Sequence, residues 1–493
     1  MAKQQTTGNQ TGTSSRHGRH VFAPKLRNEN FFVPLQLLNG RCYLRLLLPM
    51  HKQDNHTFLT TAPVRRVIPS MAVPTVISML VTSIYNLVDT YFVGLLNTQA
   101  TAAVGVAFPV MAIIQSIGFL FGQGSGTYMA RHLGARRIDE ARQMAATSFV
   151  GSIVCGVMIT VAGLLLLKPL SVALGSTPTI LPYTMDFMGV ILLGAPLMTA
   201  SMAINNQMRF QGNATQAMYG MISGAVLNVV LVPLFMFTFG LGILGTAIGT
   251  VLSQLFGFVV LWVMSRRGEN IPIDLSLASR RWHFQQEILR GGTPSLTRQA
   301  LASIATLMLN VAAGVYGDAA IAGMSIVSRV AFIIFAIIIG IGQGYQPFCG
   351  FNYGAGLYKR LLRGFYFTIL LDMAVLALMC GPAFIFAEGL VDLLRDDPEV
   401  VAVGAVALRW QLVALPMAAV VTVCNMTLQT SGQSLAANVL AAARNGIFFI
   451  PLILILPRVM GLKGVEICQA VCDILAFLLA IPLTLHFFRK RVK

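Results

Sequence analysis

The feature that most constrains the fold of this 493-residue chain is a series of twelve long apolar runs. Each run is long enough for a helix to cross about 30 Å of hydrocarbon at about 1.5 Å per residue. The runs are continuous rather than alternating, so they predict helices and not barrel strands. Only 11% of the residues are charged, against about 25% in soluble domains. We therefore predict an all-α integral membrane protein with twelve transmembrane helices, at approximately 67–94, 102–129, 144–167, 182–208, 215–239, 243–265, 291–316, 320–348, 364–387, 400–428, 435–457 and 464–487.

The chain also repeats itself at a constant offset of 220 positions. Six helices per copy is an even number, so both copies enter the membrane from the same side. We therefore expect two parallel six-helix bundles related by a pseudo-two-fold axis along the membrane normal, an arrangement that commonly encloses a central cavity and rocks to give alternating access. The matched residues are Gly122-Gln123-Gly124 with Gly342-Gln343-Gly344, Gly134-Ala135 with Gly354-Ala355, Pro196 with Pro416, Asn205 with Asn425 and Gly212 with Gly432.

The predicted division is a basic, disordered extension (1–62), two bundles (63–265 and 291–488), a cytoplasmic linker between them (266–290) and a cytoplasmic tail (489–493). Most of the 35 Lys and Arg residues lie before the first run, in alternate connections and in the tail. By the positive-inside rule, both termini then face the cytoplasm in a multi-pass protein of the cell (inner or plasma) membrane. The net charge of +17 is a topology signal in this interpretation, and we expect no nucleic-acid partner.

The extension differs in kind from the rest of the chain. Its first twenty residues are rich in Gln, Thr, Gly, Ser, Arg and His and are expected to be disordered. Residues 31–50 mix Leu and Phe with Arg41 and Arg45, which suits a basic segment on the inner membrane surface. An equal alternative is that translation starts later, for instance at Met50.

Several function classes are disfavoured by the residues that the sequence lacks. None of the lysines is followed by Ser or Thr, so there is no phosphate-binding loop of the GxxxxGKS or GxxxxGKT kind, and ATP hydrolysis is not expected. An intramembrane enzyme would need a nucleophile beside a base or paired acids with a metal, and no run carries paired carboxylates. Cys468 and Cys472 are interpreted as small buried apolar side chains. We expect no enzyme activity, metal or cofactor.

A polar stripe on the first predicted helix holds the most informative acid. Ser78, Thr82, Tyr85, Asn86 and Asp89 follow the spacing i, i+4, i+7, i+8 and i+11, which places them on one helix face. A carboxylate in a membrane span costs about 2.5–3.5 kcal/mol, so this face is expected to point into the amino-terminal bundle or a wet cavity. There Asp89 can exchange a proton for Na⁺ or for a cationic substrate. The alternative is an Asp that is only hydrogen-bonded to neighbouring helices.

Other polar residues in the runs are candidates for the same cavity or for a substrate pathway. Taken singly, each is more often a helix–helix hydrogen bond than a ligand. Arg298 has three open interpretations: a pair with Asp372, a pair with Asp473, or no partner. The pathway and cavity candidates are Thr82, Tyr85, Asn86, Asn205, Asn228, Thr250, Gln254, Arg298, Asn310 and Gln343.

Seven motifs occur in order along the chain. They lie at 85–94 (YNLVDTYFVG), 103–109 (AVGVAFP), 124–135, 228–235 (NVVLVPLF), 245–250 (GTAIGT), 294–299 (PSLTRQ) and 342–355. Together they resemble the motifs of MATE (multidrug and toxic compound extrusion) transporters of the MepA-like or DinF-like branch, over roughly 62–487. The extension matches nothing in the family pattern.

The resemblance implies cation-coupled export, in which H⁺ or Na⁺ enters as an amphipathic, often cationic compound leaves. It implies a proton or cation site made of Asp89, Asn228 and Thr250, where Na⁺ is an alternative to H⁺. A second acid of the family's site falls on Val232 here. The lost carboxylate removes a negative charge that would favour Na⁺, so we favour coupling to H⁺. We expect a monomer whose partners are small molecules and the lipid bilayer.

The main alternative is a lipid-linked saccharide flippase of the wider superfamily, which shares the paired-bundle plan. Such a flippase should line its cavity with several Arg side chains that hold pyrophosphate, and the first half offers only Arg209, near the cytoplasmic end. Another branch of the family builds a carboxy-terminal cation site from acids. The corresponding spans here offer Arg298, Arg329 and Arg409, so no such site is expected.

Overall fold

Twelve long helices make up most of the computed structural model, which describes residues 54–267, 270–395 and 397–491, without the side chains of Asn86 and Leu87. This described part contains no strand. Eleven of the helices are long and apolar enough to cross a membrane, and α7 is equally long but carries more charge. The all-α prediction is confirmed. The helices are α1 (Val64–Gly94), α2 (Thr98–Gly134), α3 (Ile138–Leu165), α4 (Leu181–Phe210), α5 (Ala214–Thr238), α6 (Gly242–Ser265), α7 (Trp282–Gly314), α8 (Asp318–Gly354), α9 (Tyr358–Ile385), α10 (Pro398–Thr430), α11 (Ser434–Met460) and α12 (Leu462–Arg491).

Local sequence sets several helix ends. The side chain of Asn97 accepts a hydrogen bond from the amide of Ala100 at 2.7 Å and so caps the start of α2. Helices α4 and α10 are each followed by a glycine with positive φ, Gly212 at 94° and Gly432 at 78°. A side chain with a Cβ is disfavoured in this left-handed conformation, so both turns require glycine. The same turn therefore serves both copies of the repeat.

One helix-to-helix hydrogen bond occurs identically in each bundle. Asn205 on α4 donates to the carbonyl of Ala217 on α5 at 2.9 Å. Asn425 on α10 donates to the carbonyl of Ala437 on α11 at 2.6 Å. Donor and acceptor are both displaced by the repeat offset, and the packed pairs α2–α4 and α8–α10 correspond in the same way. The two six-helix bundles are thus alike in construction.

The bundles meet along α1–α8 and α2–α7, which are equivalent pairs in the repeat. At the end that carries the basic connections, a Cβ at Gly134 would overlap the carbonyl oxygen of Phe351, and a Cβ at Gly354 would overlap that of Arg131. These contacts are reciprocal, because each residue has its repeat equivalent in the other contact. Arg131 also forms an ion pair with Glu287 at 3.1 Å. The bundles are therefore closed against each other at this end.

Part of the extension differs from its predicted form. Asn55–Thr61 is a short helix rather than disordered chain, and it is capped by Asp54, whose carboxylate accepts from the amide of His56 at 3.2 Å. The segment packs on both bundles, since the His56 ring bonds the carbonyl of Gly134 at 3.2 Å and Arg360 donates to the carbonyl of Ala62. Tertiary contacts therefore order it. The rest of the extension, with the predicted surface segment 31–50, lies outside the described residues.

The connection between the bundles is shorter than the predicted linker 266–290, because α7 already begins at Trp282. Its described part holds a single 3₁₀ turn, Leu275–Leu277. The side-chain hydroxyl and the amide of Ser276 donate to the exposed carboxylate of Asp274, and these bonds lower the pKa of that carboxyl. This capped turn leads into the first residues of α7.

Candidate functional site

A cavity of about 130 Å³ lies between the two bundles and is lined by residues from α1, α2, α4, α5, α7 and α8. We refer to it as the central cavity. Four of the predicted pathway residues line it: Thr82, Asn205, Arg298 and Gln343. They belong to four different helices, two from each half, and the packing of α1 on α8 and α2 on α7 brings those helices together.

A layer of buried, hydrogen-bonded side chains joins the bundles at the wall of this cavity. Arg209 donates to Oε1 of Gln343 across the interface at 2.5 Å and to Oδ1 of Asn206 at 2.5 Å. The same Oδ1 accepts from Nε2 of Gln123 at 3.2 Å. Gln123 and Gln343 are the middle residues of the repeated Gly-Gln-Gly motif, whereas the repeat equivalent of Arg209 is Gln429. The layer therefore contains a cation from the first half only.

A second cavity, of about 230 Å³, lies within the second half among α7, α8, α10, α11 and α12. We refer to it as the C-terminal cavity. It shares a wall with the central cavity, and this wall consists of Arg298, Gln299, Phe332, Phe335 and Ile339. Neither cavity is lined by a carboxylate among the described residues. A ligand that spans both cavities would contact three arginines, Arg209, Arg298 and Arg444, and the aromatic side chains of the shared wall.

Arg444, which lines the C-terminal cavity, forms an ion pair with Asp473 behind its wall, and this pair shows which arginine Asp473 binds. Nε of Arg444 lies 2.5 Å from Oδ1 of Asp473, which is fully buried, and the Arg444 guanidinium lies 4.3 Å from the ring centroid of Phe335. Asp473 is therefore the partner of Arg444 and not of Arg298. Asp372 is buried, and both of its carboxyl oxygens are without a hydrogen-bond partner in the described part of the chain. Arg298 pairs with neither acid.

Asp89 lies on α1 seven residues beyond Thr82, which is roughly 10 Å along the helix axis away from the closed end. Its side chain is half-buried, and Oδ1 is buried without a hydrogen-bond partner among the residues that the structure describes. Tyr85, one turn earlier, is close enough for its hydroxyl to interact with the Asp89 charge. Asp89 lines neither of the two cavities. A carboxyl oxygen without a partner at this depth favours the protonated form, because no hydrogen bond or counter-charge stabilises the carboxylate.

Two further predicted members of the cation site, Asn228 and Thr250, are in contact with each other. Nδ2 of Asn228 donates to the hydroxyls of Thr250 and Ser253, at 3.3 Å each. All three are buried, and α5, which carries Asn228, packs against α1. Val232, one turn beyond Asn228, is fully buried. The cluster is thus neutral and lies on the helix neighbouring Asp89.

The remaining pathway candidates lie apart from the cavities. Gln254 is half-buried on α6, and Asn310 is exposed on α7. The side chain of Asn86 lies outside the described residues. Sequence reasoning missed Asn206 and Gln299. It placed Arg209 correctly near the end of its helix, in the last turn of α4, but did not predict that Arg209 lines the cavity. The Gly-Gln-Gly repeat was the available signal for this layer. In the described part, no group of three or more His, Cys, Asp or Glu side chains is arranged to hold a metal ion.

The comparison with protein-family models agrees with the division of the chain into two equivalent halves. The MatE family model matches the chain twice, at residues 74–234 and 294–455, once in each half. The chain belongs to the MatE family. Among the similar proteins, this MatE member is 26% identical over 439 residues to the multidrug export protein MepA of Staphylococcus haemolyticus (strain JCSC1435), covering 88% of the chain and 96% of that protein. It is also 26% identical to MepA of Staphylococcus aureus (strain NCTC 8325 / PS 47), over 87% of the chain and 96% of the relative.

Solved structures of MATE transporters resemble this MatE protein over most of its length. A multidrug resistance MATE family transporter in an outward-facing conformation gives a TM-score of 0.84 at 25% identity, covering 89% of this chain and 98% of that one. A MOP superfamily transporter from Pyrococcus furiosus, described as having a binding pocket of reversed polarity, also gives 0.84 at 25% identity, covering 90% and 99%. The predicted fold of two six-helix bundles is confirmed, and the names of these relatives are those of transporters rather than enzymes.

Proposed function

We propose that this MatE protein is a secondary active efflux transporter, which exports amphipathic small molecules by antiport with H⁺. The observation that carries the proposal is the central cavity between two repeat-related bundles that are closed against each other at one end. If that end opens while the other closes, the same cavity is presented to the opposite side of the membrane. The names of the MepA relatives support export of several chemically different compounds.

Asp89 is the residue that we assign to the coupling ion. Its Oδ1 is buried and unpartnered, and its helix packs on the helix that carries Asn228. A carboxyl group in this position can take a proton from one side and release it when the surroundings change, because its charged form is stabilised only by water or a cation. If the resemblance to cation-exporting transporters extends to the substrates, Asp89 is the group in the first half that would hold a cationic compound.

We favour H⁺ over Na⁺ because the neighbouring cluster supplies amide and hydroxyl groups and no second carboxylate. The position that would supply it is the buried Val232. One H⁺ that enters through about 100 mV supplies roughly 2.3 kcal/mol. At about 1.4 kcal/mol per tenfold, this is enough to hold a gradient of roughly forty-fold for a neutral solute.

The basic connections lie at the closed end, so the positive-inside rule orients this end toward the cytoplasm. The conformation described is then closed to the cytoplasm, and both termini lie on the cytoplasmic side of the cell membrane. Opening requires separation of α2 from α8, which are joined where Gly134 contacts Phe351. We propose a monomer as the working unit, since each chain contains both bundles and the cavity between them.

Proteoliposomes with separately imposed pH and Na⁺ gradients test the coupling. We expect a pH gradient to drive ethidium export by the wild type and a Na⁺ gradient to have no effect. Asp89→Asn should insert and fold but lose roughly tenfold or more of the pH-driven transport, since it removes the titrating group. Asp186→Asn is the matched control, because it removes an exposed acid on α4 and should transport like the wild type.

Two results would contradict the assignment. Equal ethidium export by Asp89→Asn and the wild type, at equal amounts of protein, would remove Asp89 from the mechanism. Transport driven by the Na⁺ gradient alone would replace H⁺ as the coupling ion while leaving the export function intact.

The alternative function, a lipid-linked saccharide flippase, is favoured by one observation. Arg298 of the second half joins Arg209 in the central cavity, so the cavity holds two arginines rather than the one expected. The cavity volume of about 130 Å³ argues against a pyrophosphate-linked saccharide. Translocation of a lipid-linked saccharide in the same vesicles, with no export of soluble dyes, would establish the flippase instead.

A further inference from the structure

The charged side chains that line the central cavity are two arginines, Arg209 and Arg298. Arg209 is 3% exposed, and its guanidinium bonds only to neutral amides, those of Gln343 and Asn206. Nη1 of Arg298 is buried and has no hydrogen-bond partner in the described chain. Both side chains line the same cavity of about 130 Å³. The cavity wall therefore carries positive charge that no acid in the described part neutralises.

Two other half-buried arginines of this protein are each paired with an acid. Arg444 has Asp473 at 2.5 Å, and Arg131 has Glu287 at 3.1 Å. Taking a cation out of water is costly unless an opposite charge compensates for it. At these two positions an acid of the chain supplies the counter-charge. An arginine pair without one, in a cavity, points to a counter-charge that comes from outside the chain.

We propose that the central cavity binds the anionic head, a carboxylate or sulfonate, of an amphipathic substrate between Arg209 and Arg298. The proposal rests on the export function proposed above and names the charge class of its substrate. It departs from the cationic compounds that the family resemblance implies. A carboxylate accepts two parallel N–H bonds from a guanidinium, so the Arg298 fork gives orientation as well as attraction.

The volumes of the two cavities match an amphipathic shape. An apolar cavity of about 150 Å³ holds one benzene ring, so the central cavity, at about 130 Å³, has room for a small head group. The C-terminal cavity, at about 230 Å³, lies on the other side of Phe332, Phe335 and Ile339. Its apolar wall suits the aromatic or aliphatic body of the same molecule. Arg298 lines both cavities and would mark the junction of head and body.

The sign of the substrate charge determines how many charges cross the membrane in one transport cycle, and therefore whether the membrane potential drives export. Antiport of one H⁺ against one monovalent cation moves no net charge across the membrane. Antiport of one H⁺ against one monovalent anion moves two charges in the same electrical direction. An inside-negative membrane potential would therefore accelerate export of an anionic substrate and leave export of a cationic one nearly unchanged.

Binding in detergent tests the proposal independently of transport. Fluorescein, which is anionic, and rhodamine 123, which is cationic, share one ring skeleton and serve as matched probes. We expect the wild type to bind fluorescein more tightly than rhodamine 123. Arg298→Gln should weaken fluorescein binding by roughly tenfold or more, because it removes a charged hydrogen bond, and Arg298→Lys should restore part of the loss. Arg329→Gln, which removes an exposed arginine of α8, should bind like the wild type.

The same variants in phosphatidylcholine vesicles complete the test. With an imposed pH gradient, an inside-negative potential should increase fluorescein export by the wild type at least about twofold, and Arg298→Gln should lose that export whereas Arg329→Gln should retain it. If neither dye moves under any gradient, the export function itself fails. If rhodamine 123 is exported and Arg298→Gln leaves fluorescein binding unchanged, only the anion site is overturned.

A lipid headgroup offers the same anionic chemistry as an acidic solute. Vesicles that contain phosphatidylglycerol separate the two sources. If fluorescein still binds and moves in them, the site takes a solute, as proposed. If phosphatidylglycerol abolishes fluorescein binding, the arginines hold a lipid headgroup and the proposal is overturned.

Discussion

The two halves of this MatE protein share a backbone plan but differ in their buried charges. In the first half, Asp89 has an unpartnered carboxyl oxygen, and the neighbouring α5–α6 contact is made by the neutral groups of Asn228 and Thr250. In the second half, the α11–α12 contact is made by the Arg444–Asp473 ion pair. The hydrogen bond of Asn205 is nevertheless repeated by its equivalent in the other half.

This difference shows that the two copies of the repeat share their helix packing, although the charged and polar side chains within each copy differ. A paired charge is held in place by its partner, whereas an unpaired one can change its protonation or its ligand. We infer that the first half carries the movable proton, at Asp89. The second half contributes a rigid pair behind the C-terminal cavity, and its own unpaired acid, Asp372, is 1% exposed, whereas the side chain of Asp89 is only half-buried. Each half contributes one arginine to the wall of the central cavity, so both halves take part in the proposed binding site.

The largest expected effect comes from breaking the ion pair of the second half. Asp473→Asn leaves the Arg444 charge without its counter-charge and should lower the free energy of unfolding by about 3–5 kcal/mol. Detergent-denaturant titration of the purified protein measures this. Replacing both residues together with apolar side chains should recover most of the loss. If Asp89→Asn destabilised the protein as strongly as Asp473→Asn, the contrast between a movable and a fixed acid would be lost.

A substitution at the closed end of the interface should reduce the population of the closed state by the same amount in either half. Gly354→Ala and Gly134→Ala each place a Cβ against a backbone carbonyl of the other bundle. Such overpacking costs about 1–3 kcal/mol and should shift the population away from the closed state. The distance between the two bundles at this end can be measured by pulsed EPR. The spin labels are attached at the exposed positions Arg137→Cys and Lys359→Cys in an otherwise cysteine-free chain.

Gly381→Ala is the control for this pair, because nothing lies within 4 Å of the added Cβ. The distance between the two spin labels in Gly381→Ala should equal the distance in the labelled protein without a glycine substitution. An unchanged distance in both Gly354→Ala and Gly134→Ala would show that the reciprocal contacts do not hold the closed state.

The smallest expected effect concerns the hydrogen bond that both halves share. Asn205→Ala and Asn425→Ala should each lower the free energy of unfolding by about 0.6 kcal/mol, and by no more than about 1.7 kcal/mol, which are the average and the maximum measured for polar contacts between helices in a membrane protein. The two values should agree, since donor, acceptor and helix pair are equivalent. A clearly larger loss in one variant, measured by the same denaturant titration, would mean that the halves differ in packing as well as in charge.

Much of the fold followed from local patterns, but the site did so only in part. The apolar runs and the 220-residue repeat predicted the helices and the paired bundles, since both depend on residues close in sequence or on exact recurrence. The expectations for Asn228 and Thr250 came from a family resemblance, and the structure brings those two side chains together. The sequence placed Arg298 on the right helix but left its partner open, because a pairing between helices depends on how each helix is rotated about its axis.

The sequence by itself determined that this chain spans the membrane twelve times in two equivalent copies, because hydrophobic length and repetition are properties of the linear chain. It also determined which acids and arginines lie inside the spans. Only the tertiary structure decided that Arg444, and not Arg298, takes Asp473, and that Arg209 and Arg298 line one cavity without an acid. The physical reason is that charge compensation acts over a few ångströms in space, between residues that lie far apart along the chain.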